Sequence, residues 1–269
     1  MKTKISHLII GCGYLGKRLK TFLKGQTVWA TNRSELTGNN SILLDINDEN
    51  TCNNLAVLSN QGALVIYFMV PPSKIEQACF IKFINRLNQL NILRAILVSS
   101  TVVYGNKDRI VDANSEVELD GIRAECQYQI EKTWSDNIDN AYIVRLAGIY
   151  GPDRIIGLNA IKNGEMINGD PEGWLNFIYV DDAANLIKCI GSFDSTNRIE
   201  LGCDGMPIKR KEYYSFLARL MNQAPPRFNT NKAIRGKGRR CDNKLTISRT
   251  GWQPEYTDGK QAISKLING

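Results

Sequence analysis

The chain has 269 residues, 43% hydrophobic and 23% charged, with 8 prolines and no low-complexity tract, enough to bury a large core as one domain or as a main domain with a smaller partner. No apolar run reaches the roughly 18–20 residues that cross a bilayer. One histidine and seven scattered cysteines without a C-x-x-C pair argue against a metal site and against a histidine base.

The amino terminus, "MKTKISHLIIGCG", opens with lysines as a secretory signal does, but its apolar stretch is too short and glycine follows at once. It reads as a first strand, 5–10, holding the one histidine, His7, and running into a turn. An odd cysteine count without a secretory signal points to reduced thiols and a cytoplasmic location. Helical spacing follows over 14–24. Short apolar runs rich in β-branched residues then occupy 27–31, 41–46, 63–70, 94–100 and 141–146, each suited to a strand buried on both faces. Between them 73–90 and 121–136 are helical, with Ile75, Ala78, Cys79, Phe80, Ile81 and Ile84 expected on the buried side of the former. Strand–helix alternation without repeats predicts an α/β fold, a doubly wound parallel sheet with right-handed crossovers. Beyond Tyr150 the pattern turns irregular and polar. The expected division is a core over 1–150, to which 174–203 returns, and a smaller substrate lobe made of 151–173 and 204–269.

The first strand ends in "GCGYLG", with Gly11, Gly13 and Gly16 in the G-x-G-x-x-G pattern between a strand and a helix. In that context the glycines serve the tight turn, the approach of a pyrophosphate, and close helix–strand packing. A glycine-rich turn without a ligand is the plainer alternative. Tyr14 and Leu15 inside the motif, and Val70 at the end of the fourth run, join the expected cofactor contacts. An acid ending the second strand would bind the 2′-hydroxyl of NAD, but the residues there are Asn32 and Arg33. A guanidinium suits a 2′-phosphate and favours NADP, with Glu35 keeping NAD as second choice. Asp45, closing the third run, either binds the adenine amino group or caps the next turn.

"VSSTVVYG" (98–105), "VRLAGIYGPDR" (144–154), "NFIYVDDAANLI" (176–187) and "RRCDNKLTISRTGWQPEYTDG" (239–259) together resemble the extended short-chain dehydrogenase/reductase superfamily, its NAD-dependent epimerase/dehydratase group. The resemblance runs nearly end to end. It implies a Rossmann sheet, a carboxy-terminal substrate lobe, and a cofactor lying across the C-terminal edge of the strands. It also implies a serine or threonine ending the fifth strand that polarises a substrate oxygen. A tyrosine on the next helix passes the proton, and a lysine four residues later lowers its pKa and holds the nicotinamide ribose. Counted from Tyr104-Gly105 the hydroxyl falls on Ser100; a strand-end serine satisfying a backbone group explains that residue equally well.

"CQYQIEKTW" (126–134) supplies Tyr128 and Lys132 at the right mutual spacing. Tyr128 nevertheless stands only 17 residues before Arg145 in the next strand, about five short of the family's spacing, a displacement of about 7–8 Å along a helix. Measured from Arg145, the tyrosine slot falls on Arg123, the lysine slot on Gln127, and Glu131 matches the glutamate that follows one turn on. Tyr256 and Lys260 repeat the motif by chance. The pair is therefore read as coincidence, leaving Ser100 and Arg123 as candidate catalytic residues. In the family's R-x-x-N-x-Y-G pattern, Gly148 replaces the asparagine.

The expected protein is an NADP-dependent oxidoreductase, or an epimerase or dehydratase, acting on a hydroxylated, sugar-like small molecule without a well-placed Tyr-x-x-x-Lys pair. The alternative is a binding protein that senses the dinucleotide without turnover. A net charge of +7 and the basic stretch 231–244 raise nucleic acid as a partner, but no aromatic-basic interleaving supports it. No membrane partner is expected, and oligomeric state is illegible.

Overall fold

A computed structural model of the protein describes residues 4–36, 38–192, 196–230 and 238–268. In chain order β1 (Ile5–Ile10), α1 (Tyr14–Phe22), β2 (Thr27–Asn32), β3 (Ser41–Leu43), α2 (Glu49–Cys52), β4 (Ala63–Phe68), α3 (Gln77–Leu87), β5 (Ile92–Ser100), β6 (Ile110–Val111), α4 (Ile122–Asn137) and β7 (Ala141–Leu146) come first. There follow β8 (Gly148–Tyr150), α5 (Leu158–Lys162), β9 (Ile167–Asn168), β10 (Trp174–Leu175), β11 (Phe177–Tyr179), α6 (Val180–Ser192) and β12 (Ile199–Gly202). The last are β13 (Ile208–Lys209), α7 (Arg210–Leu220), β14 (Phe228–Asn229), β15 (Arg240–Cys241), α8 (Lys244–Thr250) and α9 (Gly259–Asn268).

Seven strands form one sheet in the order β12-β7-β5-β4-β1-β2-β3, the doubly wound arrangement expected. The pairs from β3 across to β5 run parallel. Alternate residues of the strands (Leu8 and Ile10, Leu64, Ile66 and Phe68, Ala95 and Leu97) share one hydrophobic core with Phe80, Phe83, Ile84 and Leu87 of α3, with Ile130 and Trp134 of α4, and with Ile138 just beyond it. Phe68 sits 5.3 Å from Phe80 and 5.1 Å from Trp134, between ring centroids. On the opposite face His7 Nδ1 lies 3.1 Å from the Tyr67 hydroxyl, and burial lowers the imidazole pKa. His7 is a core residue.

Several boundaries differ from expectation. β3 ends at Leu43 rather than at residue 46, and β4 stops at Phe68, short of the Pro71-Pro72 pair. Those prolines hold a 3₁₀ turn at Pro72–Lys74, so α3 starts only at Gln77. Its buried stripe is Phe80, Phe83, Ile84 and Leu87, an i, i+3, i+4, i+7 set. Ala78 and Ile81, expected inside, are exposed. β12, "IELG", was not expected as a seventh strand.

Two groupings of the chain are each closely packed within themselves: residues 1–100, 125–144 and 184–200, and residues 101–124, 145–183 and 201–269. In the second, β8 pairs parallel to β11, and β6 to β15. Asn176 clamps this region, donating to the Arg239 carbonyl (2.8 Å) and accepting from the Cys241 N–H (2.7 Å). Asp182 accepts from the Glu255 and Tyr256 N–H groups at 2.8 and 3.0 Å, while Trp252 Nε1 donates to its carbonyl at 3.1 Å. The "VDD" and "GWQPEY" stretches are thus two halves of one structural clasp.

Candidate functional site

The chain leaves β1 through Gly11, whose φ of +83° is a conformation residues with side chains rarely adopt. A Cβ there would stand 3.2 Å from both the Met69 carbonyl carbon and Val70 Cγ2, so the turn is pressed against the end of β4. Thr31, buried near the end of β2, ties it down. The Gly11 N–H donates to Thr31 Oγ1 (3.1 Å), and the Cys12 N–H to the Thr31 carbonyl (3.4 Å).

Gly13 is the N-cap of α1 and is exposed. A Cβ on it would meet nothing nearer than the Gly11 carbonyl oxygen at 4.0 Å, whereas on Gly16 it would lie 3.1 Å from Ile9 Cγ2. The open side at Gly13 and the tight side at Gly16 match a ligand-facing and a packing glycine. First-turn N–H groups of a helix lack an intrahelical acceptor, and this first turn holds no acidic residue. A phosphate group fits such a cradle. Tyr14 is half-buried beside it, and buried Leu15 offers it only backbone.

Asn32 ends β2, its Nδ2 3.4 Å from Ser41 Oγ, and Arg33 and Glu35 just beyond are exposed. Asp45, past the end of β3, accepts the Asn47 N–H on Oδ1 at 3.0 Å, the turn-capping arrangement. Because these strands run parallel, the glycine loop, Asn32, Arg33, Asp45 and Val70 all follow C-terminal strand ends.

Ser99 and Ser100 close β5. Ser99 is buried and donates to Glu131 of α4; Ser100, half-buried, faces the other way by strand alternation. On α4 Gln127 and Glu131, 7% and 1% exposed, share the buried face. Tyr128 is half-buried, Arg123 exposed. The Lys132 side chain is 57% exposed and its Nζ donates to Asp136 Oδ2 at 2.5 Å, one turn on. Thr31 and Ser99 were missed from sequence, because their partners come from other elements.

At Gly148 a Cβ would meet Ile156 Cδ1 at 2.9 Å and the Asn176 carbonyl oxygen at 3.1 Å, so an asparagine does not fit there without a shift. Of the basic stretch 231–244, residues 231–237 lie outside the described residues. Arg239 donates to the Gly105 carbonyl (2.7 Å), and Arg240 pairs with Asp108 (3.2 Å). Among the described residues, no helix is long and apolar enough to cross a membrane.

No protein-family model matches the chain. Protein YeeZ of Escherichia coli (strain K12) is 26% identical over 271 residues, an alignment spanning 93% of this chain and 96% of that protein. A structure from Methylobacillus flagellatus, provisionally described as an NAD-dependent epimerase/dehydratase, superposes with a TM-score of 0.80 at 22% identity, covering 100% of this chain and 98% of that one. UDP-glucuronic acid 4-epimerase from Bacillus cereus, in complex with UDP-glucuronic acid and NAD, gives 0.76 at 15% identity, covering 98% and 99%. The chain thus shares the Rossmann-type fold of these structures.

Proposed function

We propose that the protein binds a nicotinamide dinucleotide at the glycine loop, NADP(H) ahead of NAD(H), and works as an oxidoreductase or epimerase/dehydratase-like enzyme on a hydroxylated, sugar-like small molecule. The observation that carries this reading is the loop itself: a left-handed Gly11 turn braced by Thr31, an open Gly13 and a close-packed Gly16 at a helix N-terminus. The NAD held by the Bacillus cereus epimerase supports it. A bound nicotinamide would supply a hydride acceptor or donor. Gly13 and the first amides of α1 would hold the pyrophosphate, with Tyr14, Leu15 and Val70 around it. Arg33 would meet a 2′-phosphate through a charge-assisted, forked contact, with Asn32 beside it and Asp45 toward the adenine. Glu35 is the group that would favour NAD(H) instead.

Ser100 would polarise the substrate oxygen, and Arg123 would place a cation at the start of α4. Tyr128 and Lys132 stand outside this proton route. A lysine turned to solvent and held by Asp136 is badly placed to hold a ribose, and Gln127, at the lysine slot, offers an amide without charge.

The test is turnover: NADPH with a panel of keto compounds, NADP with hydroxy compounds and nucleotide sugars, followed by cofactor absorbance and by NMR of the sugar. Consumption of cofactor or inversion of a sugar centre is expected. Dinucleotide binding without any turnover would favour the second reading, a non-catalytic dinucleotide sensor, which the outward-facing Lys132 also suits.

A further inference from the structure

The second grouping of the chain contains a cavity of about 250 Å³ that plays no part in dinucleotide binding as proposed. Its ionisable lining is Asp204, Glu212, Asp258 and Lys260, and Phe177 and Tyr213 contribute aromatic wall. The Lys260 charge is taken up by Glu212, Nζ to Oε1 2.6 Å. Asp258 Oδ1 caps α9, accepting the Lys260 N–H at 2.9 Å. Asp204 is 5% exposed and accepts the Met206 N–H on Oδ1 (3.0 Å), but its Oδ2 is buried with no hydrogen-bond partner.

That oxygen is turned toward Gly259, which lines the same cavity. A Cβ on Gly259 would stand 3.5 Å from Asp204 Oδ2 and 3.7 Å from the Tyr150 hydroxyl, which is also buried and unpartnered. The Phe177 and Tyr213 rings lie 4.7 Å apart between centroids, and Tyr213 is fixed by its hydroxyl's bond to the Ile156 carbonyl at 2.8 Å. A buried carboxylate oxygen left without a donor is costly.

From this arrangement we infer that the cavity is a binding site for a small organic molecule carrying a protonated amine, its N–H groups donating to Asp204 and Asp258 and its charge facing the Phe177 and Tyr213 rings. Carboxylates combined with aromatic faces select cations over neutral donors. The Lys260–Glu212 pair leaves two carboxylates for the ligand and no unengaged cation in the lining, which disfavours anions. Every residue used lies in the second grouping, so the inference stands apart from the dinucleotide reading. Burial, with Asp258 and Asp182 adding, raises Asp204 to about 7. Tyr150, Cys203 and Cys241 also interact electrostatically with it. Acidification through that range puts a proton where the amine would sit.

Cyclohexylamine, with cyclohexanol as its neutral twin, is the probe, titrated into the full chain without cofactor and followed by calorimetry or NMR. Cyclohexylamine is expected to bind at least tenfold more tightly than cyclohexanol, and more weakly as pH falls through about 7. Asp204→Asn keeps the shape and removes the charge. Gly259→Ala places a methyl at ordinary contact distance against Oδ2, so it should fold and partly fill the site. Each should weaken cyclohexylamine at least tenfold. Equal binding of the two probes, no saturable binding of the amine, or unchanged affinity in Asp204→Asn would overturn the inference.

Discussion

Arg33 stands one residue past the end of β2, exposed, between Asn32 and the equally exposed Glu35. If it meets a 2′-phosphate, NADPH should bind more tightly than NADH, and Arg33→Ala should narrow the gap by about 1–3 kcal/mol, the scale of a charge-assisted hydrogen bond. Fluorescence titration of both cofactors reads this directly, and a parent protein that prefers NADH would transfer the role to Glu35. Gly13→Val should abolish dinucleotide binding with little change in thermal unfolding, since a Cβ there meets only the Gly11 oxygen at 4.0 Å and fills ligand space instead. Normal binding by that variant would reduce the loop to a structural turn. The glycines were legible because a turn with φ of +83° and a close helix–strand approach select for the missing side chain itself. Thr31 was not, since its hydroxyl acquires the Gly11 N–H only once β1 and β2 lie side by side.

Helix α4 places two sets of residues on different sides. Gln127 and Glu131 turn inward, Glu131 holding the Ser99 hydroxyl, while Lys132 turns out to Asp136. Tyr128→Phe and Lys132→Ala should therefore leave NADP(H) affinity unchanged and any turnover within a few-fold. A true general acid would cost about 10²–10⁴ in rate. Glu131→Ala, in contrast, should destabilise the protein by roughly 1–3 kcal/mol, because it strands the buried Ser99 hydroxyl; chemical denaturation measures it. Of the positions counted from Arg145 in the sequence, Gln127 and Glu131 are buried, whereas Arg123 is exposed. The inward side of α3 was misjudged by including Ala78 and Ile81, which lie inside the helix but off the stripe of Phe80, Phe83, Ile84 and Leu87.

At the scale of the whole molecule, Asp204 gives folding a pH dependence. Burial raises its pKa from 3.8 to about 7 in the folded protein, so the folded state holds this proton more firmly than the unfolded chain does. The stability that follows is fully present below about pH 4 and lost as pH rises through about 7, on the order of 4 kcal/mol for three pKa units. Asp204→Asn should flatten that part of the profile and make the variant more stable than the parent above pH 7. Parallel profiles in denaturant melts at several pH values would show that Asp204 is not the group responsible.

The alternating strands and main helices of the first 150 residues and the glycine loop followed from sequence because each rests on local patterning: β-branched runs, helical spacing, and glycines where no side chain fits. The pairing of Ser99 with Glu131, the brace at Thr31, the outward turn of Lys132 and the unpartnered Asp204 beside Gly259 were decided only by the tertiary structure. Each depends on which side chains from distant parts of the chain share one buried volume, and burial, which sets both partner and pKa, belongs to the packed molecule rather than to any single stretch of it.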